Sequence, residues 1–138
     1  MGQLGVDSLA AKAIEMEGES KGFKVKQLKL TTRDGTRLSG ALYIPKGEGP
    51  FPALVMVHSW MFSRWQCHLY APYFASAGYA VLAYDCRGWG SSKGRVHCAD
   101  PERELNDLED AIDWLLAESG VPIKDGALGV TGISYGGG

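Results

Sequence analysis

The stretch that decides the fold is ALGVTGISYGGG, residues 127–138. Its first half, 127–132, is an apolar run that predicts a buried β-strand. The last residue of that run opens the stretch Gly132–Gly136, which has the form G-x-S-x-G. That pattern is typical of a sharp strand-to-helix turn with a serine, here Ser134, at its apex. The kind of sheet around this strand therefore decides what the serine can do.

Two earlier runs resemble this strand. They are ALVMV at 53–57 and YAVLAY at 79–84, and neither alternates with polar residues. A strand that is apolar on both faces is typical of the middle of a parallel sheet covered by helices. With 127–132, these runs predict three parallel strands joined by right-handed helical crossovers, which is an α/β fold.

The chain before these strands predicts an antiparallel hairpin. Apolar residues begin to alternate at Phe23, and the Asp-Gly turn RDGT at 33–36 leads into a second strand, RLSGALYI at 37–44. The alternation changes phase near Gln27. A change of phase predicts a β-bulge at that point.

Helical patterns lie between and before the strands. Residues 64–77 have apolar positions at helical spacing, but Pro72 cannot lie in a helix interior, so we expect a kink or two short helices with Pro72 opening the second. Residues 101–118 carry one apolar stripe after Asp100, a favourable N-cap, and their acidic residues are expected on a solvated face. Loosely spaced apolar positions predict a short helix over 7–17.

The charge composition argues against two classes of binding partner. Lys plus Arg (14) and Asp plus Glu (16) give a formal net charge of −2. Binding to nucleic acid or to an anionic membrane needs a basic face, so neither partner is expected. No apolar run approaches the about 20 residues that span a bilayer, and no secretory signal is recognisable. Three cysteines without metal-ligand spacing are typical of reduced thiols in a cytoplasmic protein, with no metal site.

The serine motif carries the chemistry. A serine hydroxyl is a poor nucleophile unless a base takes its proton and donors hold the oxyanion. Side chains two residues before and after Ser134 would collide at a sharp turn, and Gly132 and Gly136 remove that collision. The backbone N–H of Tyr135 would then face the oxyanion. The alternative is a glycine-rich tail with an incidental serine, since short G-x-S-x-G matches also occur by chance.

Three stretches together resemble a known family. They are TRDGTRLSGALYIP at 32–45, YFASAGYAVLAYDCRGWGSSKG at 73–94 and GISYGGG at 132–138. Over roughly residues 28–138 the chain looks like the N-terminal half of an α/β-hydrolase, and in detail it resembles the Xaa-Pro dipeptidyl-peptidase and cocaine-esterase group. The resemblance implies a serine hydrolase that acts on amides or esters, with Ser134 as nucleophile and no cofactor.

The resemblance also implies roles at the end of the central strand. Family members commonly carry His-Gly there, and a backbone N–H just after it helps to form the oxyanion hole. This chain has His58 followed by Ser59, so the N–H of Trp60 is a candidate donor. The family's strand order places His58 near Ser134. It is then either the base or a structural histidine that shapes the loop.

The segment DCRGWGSSKG at 85–94 allows two interpretations. Its glycines hint at a phosphate-binding loop, but their spacing departs from both the dinucleotide and the Walker patterns. Absence of any thermal shift with NAD or ATP would close that interpretation. The family resemblance instead makes the segment a structural turn, with Asp85 and Arg87 tying loops together.

The resemblance divides the chain into an N-terminal extension, 1–22, holding the short helix, and an incomplete α/β-hydrolase domain, 23–138, truncated at the serine turn. In this fold the acid and the histidine follow the serine in the chain. Both partners are therefore expected C-terminal to Ser134. The chain as given is expected to hydrolyse an ester or peptide substrate weakly or not at all.

An incomplete sheet has a structural consequence. Without the helix that should follow the turn, Val55, Val57, Val81 and Val130 are expected to have uncovered faces. Bare apolar surface favours association, so self-association through the sheet is a second expectation. The alternative function is a non-catalytic α/β interaction domain whose sheet is completed by another chain.

Overall fold

The computed structural model describes residues 2–98 and 100–138, with side chains from residue 8 onward; Met1 of the N-terminal extension lies outside it. Its strands form one mixed sheet in the order β1-β2-β4-β3-β5. They span β1 (Phe23–Thr31), β2 (Arg37–Pro45), β3 (Phe51–Val57), β4 (Ala80–Tyr84) and β5 (Ile123–Gly132).

Helices flank the strands. They are α1 (Gly2–Lys21), α2 (Arg64–Cys67), α3 (Ala71–Ser76) and α4 (Asn106–Ala117), with a π-helical segment at Pro101–Leu105 and a 3₁₀ turn at Ser134–Gly137. α1 is longer than the helix predicted over 7–17. No described helix combines the length and the apolar content that crossing a membrane requires.

The opening hairpin is confirmed, but the bulge near Gln27 is wrong. β1 and β2 pair antiparallel from Phe23 opposite Pro45 to Thr31 opposite Arg37 without a register shift. Phe23 belongs to the core on one face of the sheet, whereas Leu30 belongs to the core on the other. The change of phase is therefore a change of buried face along a regular strand.

The three apolar runs form the parallel part of the sheet, as predicted, but the run at 127–132 lies in an edge strand without buried residues, so the prediction that it is buried is wrong. β3 pairs in parallel with β4 on one side and with β5 on the other. Every residue of β4 is buried. Leu82 faces one core layer while Val81 and Ala83 face the other, which is why this strand shows no polar alternation.

Each face of the sheet has its own core layer. On one face, strand side chains pack against Ala111 and Leu115 of α4. On the other, they pack against Ile14 of α1 and Ala71 and Ala75 of α3. Burial of each large aliphatic side chain contributes about 1.5–3 kcal/mol, so these two layers hold the central strands in place.

Four valines were expected to have a side-chain face without a covering helix, and this expectation is confirmed only at the edge of the sheet. Val55, Val57 and Val81 are buried, because α3 and α4 already cover the central strands. Val130 on β5 is 47% exposed, and none of the ten residues of β5 is buried. The expectation was wrong for the centre of the sheet, where short helices suffice.

Both helix predictions after β3 are confirmed. α2 ends at Cys67, and Pro72 lies in the first turn of α3. The Asp100 side chain accepts a hydrogen bond from the backbone N–H of Glu102 at 3.1 Å, so it caps the segment that leads into α4. That first segment is π-helical, and the α-helix proper begins at Asn106.

Candidate active site

The serine turn lies at the carboxyl end of β5, against the end of β3. The backbone N–H of Ile133 donates to the Val57 carbonyl at 3.1 Å, which extends the parallel ladder to the edge of the turn. Ser134 then adopts φ 52° and is exposed. This left-handed conformation is strained for a residue with a β-carbon. The fold thus holds an exposed hydroxyl residue in an unfavourable backbone conformation.

The glycines on either side leave no room for a side chain. A β-carbon on Gly132 would overlap the carbonyl group of Gly136. A β-carbon on Gly136 would lie 2.5 Å from the carbonyl oxygens of Val57 and His58. Both contacts are with backbone, which cannot move aside easily. Glycine at 132 lets the turn close on itself, and glycine at 136 lets it approach the end of β3 this closely.

Tyr135 and Trp60 lie together beside the serine. Their rings meet edge to face with centroids 5.2 Å apart. The Tyr135 hydroxyl donates to Glu104 Oε2 at 2.7 Å, so the tyrosine is held by the π-helical segment as well. This ring contact joins the segment after β5 to the segment after β3, the two segments from which oxyanion donors were predicted.

His58 is buried, and both its ring nitrogens have partners. The Cys86 backbone N–H donates to Nε2 at 2.9 Å, so Nε2 carries the lone pair. Nδ1 then carries the proton and donates to the Ser59 carbonyl at 2.8 Å. An imidazole engaged in this way joins the loops after β3 and β4. Of the two roles left open by the sequence, the geometry favours the structural one.

The other histidines are also engaged elsewhere. His68 lies 2.9 Å from the Tyr43 hydroxyl through Nδ1 and 2.8 Å from Glu17 through Nε2. Arg103 donates to His97 Nδ1 at 3.2 Å. The sequence contains three histidines. Each of them has a hydrogen-bond partner other than Ser134.

Asp85 joins the loop after β3 to the loop after β4. Its buried carboxylate accepts from the Arg64 backbone N–H at 2.6 Å and from the Ser91 backbone N–H at 2.8 Å, and the Arg64 guanidinium pairs with it. Gly90 has φ 53°, and a β-carbon there would overlap this carboxylate. Arg64 is a site residue that carried no sequence signal.

Arg87 connects three parts of the chain. It donates from Nε and Nη2 to the two carboxylate oxygens of Asp107, both at 2.7 Å, and its Nη1 lies 2.8 Å from Asp34 in the hairpin turn. Hydrogen bonds to Asp107 and then to Asp34 raise the pKa of Arg87. In return Arg87, helped by Thr32 and Thr36, holds the pKa of Asp34 well below its usual range.

Asp107 corrects the prediction that the acidic residues of the long helix are all solvated. It is buried, and its partner Arg87 lies twenty residues earlier in the chain. The signal was present in the spacing. Asp107 precedes Ala111 by four residues and Leu115 by eight, so it shares the helical face of the two buried residues of the α4 stripe.

A cavity of about 450 Å³ lies below the serine turn, between the ends of β3 and β4 and the π-helical segment. Cys86 lines it, and burial raises the pKa of this thiol to about 12, so it is protonated at neutral pH. Within residues 2–98 and 100–138, no group of three or more His, Cys, Asp or Glu side chains is arranged to hold a metal ion. Ser134, exposed at the turn, is the candidate nucleophile that the G-x-S-x-G pattern predicts at this edge of the sheet.

The strand order and the covering helices define the class, which is the α/β-hydrolase fold. An esterase of Pyrococcus furiosus superposes with a TM-score of 0.69 at 29% identity, covering 86% of this chain and 45% of that chain. The alpha/beta hydrolase GrgF from Penicillium sp. sh18 gives a TM-score of 0.69 at 27% identity, covering 79% and 37%.

The family is more specific. The model for X-Pro dipeptidyl-peptidase (S15 family) matches residues 34–138, so the chain belongs to that family. The thiohydrolase aneE of Aspergillus aculeatus is 33% identical over 127 residues, which cover 88% of this chain and 37% of the relative. The cocaine esterase of Rhodococcus sp. is 34% identical over 114 residues, covering 75% and 18%. The chain therefore spans less than half the length of these relatives, all of which are hydrolases by name.

Proposed function

We propose that this chain carries the nucleophile and part of the oxyanion hole of a serine hydrolase that acts on a small ester or peptide. The observation that carries the proposal is the backbone of Ser134, which is left-handed and exposed between two glycines that have no room for a side chain. Backbone strain of this kind concentrates at functional sites. A glycine-rich tail with an incidental serine has no need of it.

The reaction follows from the groups at the turn. Ser134 Oγ attacks the substrate carbonyl carbon while a base takes its proton, and the carbonyl oxygen becomes an oxyanion. The backbone N–H groups of Tyr135 and Trp60 are the proposed donors to that oxyanion. The leaving group departs with the proton. Water then attacks the acyl-enzyme, which releases the acid and restores the hydroxyl.

The base and the acid are proposed to come from a segment that follows Ser134. In this fold the order along the chain is serine, acid, histidine. All three histidines of this sequence precede Ser134, and His58, His68 and His97 are bonded to other groups. We therefore expect the chain as given to hydrolyse esters weakly or not at all.

The test measures hydrolysis of p-nitrophenyl acetate by the chain as given and by the chain extended with the coding sequence after Gly138. We expect turnover only in the extended form, with a loss of about 1,000-fold or more in Ser134→Ala. Ser76→Ala, an exposed serine on α3, is the matched control and should keep full activity. Equal turnover in Ser134→Ala would contradict the nucleophile, and robust Ser134-dependent turnover by the chain as given would contradict the missing base.

A second candidate function rests on β5. Its ten residues include none that is buried, and Val130 is half exposed, so this edge suits a non-catalytic domain completed by another chain. Size-exclusion chromatography with light scattering distinguishes the two functions. A defined, stable oligomer and no Ser134-dependent chemistry in the extended protein would favour the interaction domain.

The proposed compartment is the cytoplasm. Cys67, Cys86 and Cys98 are all free thiols in the structure, and free thiols are typical of a reducing compartment. Fractionation of the source cells would test this assignment.

A further inference from the structure

A second cavity, of about 330 Å³, opens between the loop after β3 and the loop after β4. Half of its eight lining residues carry aromatic or thioether side chains, and the other half are glycine or neutral polar residues. Its lining carries no charged residue and includes Met61, Phe62, Trp65, Gln66, Trp89 and Ser91. In small-molecule sites aromatic side chains supply contact area, and neutral polar groups orient the ligand.

The two walls of this cavity are held by buried polar groups. The Asp85 carboxylate accepts from the backbone N–H of Arg64, the first residue of α2, and of Ser91 in the loop after β4, at 2.6 and 2.8 Å. Gln66 Oε1 accepts from the Ser59 backbone N–H at 2.8 Å and from its hydroxyl at 3.0 Å. A cavity held this way is formed before a ligand arrives, which lowers the ordering cost of binding.

The rim of the cavity exposes large apolar side chains at some conformational cost. Met61 is 72% exposed and Phe62 is 55% exposed. Met61 also has φ 63°, the left-handed conformation that side chains disfavour. The fold therefore projects two adjacent apolar side chains into solvent, and the first of them comes from a strained residue, an arrangement typical of binding sites.

An aromatic row connects this cavity to the serine turn. The Trp60 ring contacts the Trp89 ring at a centroid distance of 5.1 Å and the Tyr135 ring at 5.2 Å, both edge to face. Trp89 lines the cavity, and Tyr135 directly follows Ser134. A group bound in the cavity would thus lie at the end of a short row of rings that begins beside the candidate nucleophile.

We propose that this cavity, between Phe62 and Trp89, is a subsite for a neutral aromatic group of the substrate. The proposal rests on the proposed function only for the identity of the reacting serine. Edge-to-face contacts with tryptophan and phenylalanine favour a flat ring. A cationic group is disfavoured, because the Arg64 guanidinium already lies over the Trp65 ring, 4.2 Å from its centroid.

The test is a titration of methyl benzoate into the ¹⁵N-labelled chain carrying Ser134→Ala, followed through the indole N–H signals. The sequence has four tryptophans. We expect saturable shifts for Trp60, Trp65 and Trp89, with Trp114 on α4 unmoved. Because each aromatic contact contributes modestly, Phe62→Ala or Trp89→Ala should weaken binding about 2- to 10-fold.

The matched control is Tyr73→Ala, an aromatic side chain on α3 that is 77% exposed and does not line the cavity. It should bind methyl benzoate like the parent chain. Met61→Ala, at an exposed rim position, gives a second variant in case Trp89→Ala perturbs its loop. Unsaturable shifts, equal shifts at Trp114, or tighter binding of methyl acetate or benzyltrimethylammonium would overturn the proposal.

The titration can contradict the subsite without contradicting the nucleophile, and the turnover assay can contradict the nucleophile without contradicting the subsite. Binding is measured in Ser134→Ala, so it needs no reaction. Ring binding together with turnover that ignores Ser134 would keep the subsite and remove the proposed nucleophile. Ser134-dependent turnover without ring binding would keep the nucleophile and remove the subsite.

Discussion

The loops after β3 and β4 differ from the serine turn after β5 in how they are held. The first two are fixed by buried side chains, since His58, Asp85 and Arg87 each bond to partners in at least two segments. The serine turn is fixed mainly by backbone contacts, with Gly132 and Gly136 packed against carbonyl groups. The central loops are thus complete within this chain, whereas the turn lies on a strand with no buried residue.

The largest effect is expected at the central loops. Arg87→Ala leaves the buried Asp107 without its partner, and removing one member of a buried pair typically costs about 3–5 kcal/mol. Urea unfolding followed by circular dichroism measures this change in the free energy of unfolding. The control is Lys21→Ala, which loses an exposed ion pair with Glu17 and should cost far less, because solvent screens exposed pairs. Equal losses in the two variants would contradict the buried role of Arg87.

The next effect is expected at the serine turn. Gly136→Ala places a β-carbon 2.5 Å from two carbonyl oxygens, so the turn must move away from β3. A displacement of about 1 Å can cost about 100-fold in rate, and we expect at least that loss of Ser134-dependent hydrolysis in the extended protein. In Gly129→Ala, on β5 itself, the new β-carbon meets only the end of the flexible Leu54 side chain, at 3.1 Å, so the loss of activity should be far smaller. Equal activity of the two variants would show that the turn is not sterically constrained.

The smallest changes in the free energy of unfolding are expected when the same substitution is made at the centre and at the edge of the sheet. Val55→Ala in β3 removes buried methyl groups and should cost about 2 kcal/mol. Val130→Ala in β5 should cost no more than about 0.5 kcal/mol, because the side chain is half exposed. Thermal unfolding measures both. A large loss at Val130 would mean that β5 is covered in solution, as self-association would require.

Much of the fold could be predicted because its signals are local. Each signal determines the structure of the segment that contains it. The apolar runs predict the strands, the Asp-Gly turn predicts the hairpin, and Pro72 predicts the break between the two short helices. The predicted bulge at Gln27 failed for a tertiary reason. A β-bulge and a regular strand that is buried on both faces produce the same change of phase in the sequence. Only the packing of helices on both faces of the sheet distinguishes the two cases.

The site was less predictable, because it depends on partners far apart in the chain. The positions of Ser134, Gly132 and Gly136 could be found from one short pattern. Arg64 and Glu104 could not, since the groups they bond to lie 21 and 31 residues away. These two side chains gave no local sign of their partners, unlike Asp107, whose spacing from Ala111 and Leu115 marks the buried face of α4.

The most direct test of the central claim is the mass of a covalent adduct. The chain extended by the coding sequence after Gly138 is treated with an alkyl fluorophosphonate, which reacts with activated serines, and is then digested and sequenced by mass spectrometry. We predict one phosphonylated peptide, modified at Ser134, and no adduct in Ser134→Ala. An adduct on another serine, with Ser134 unmodified, would contradict the account.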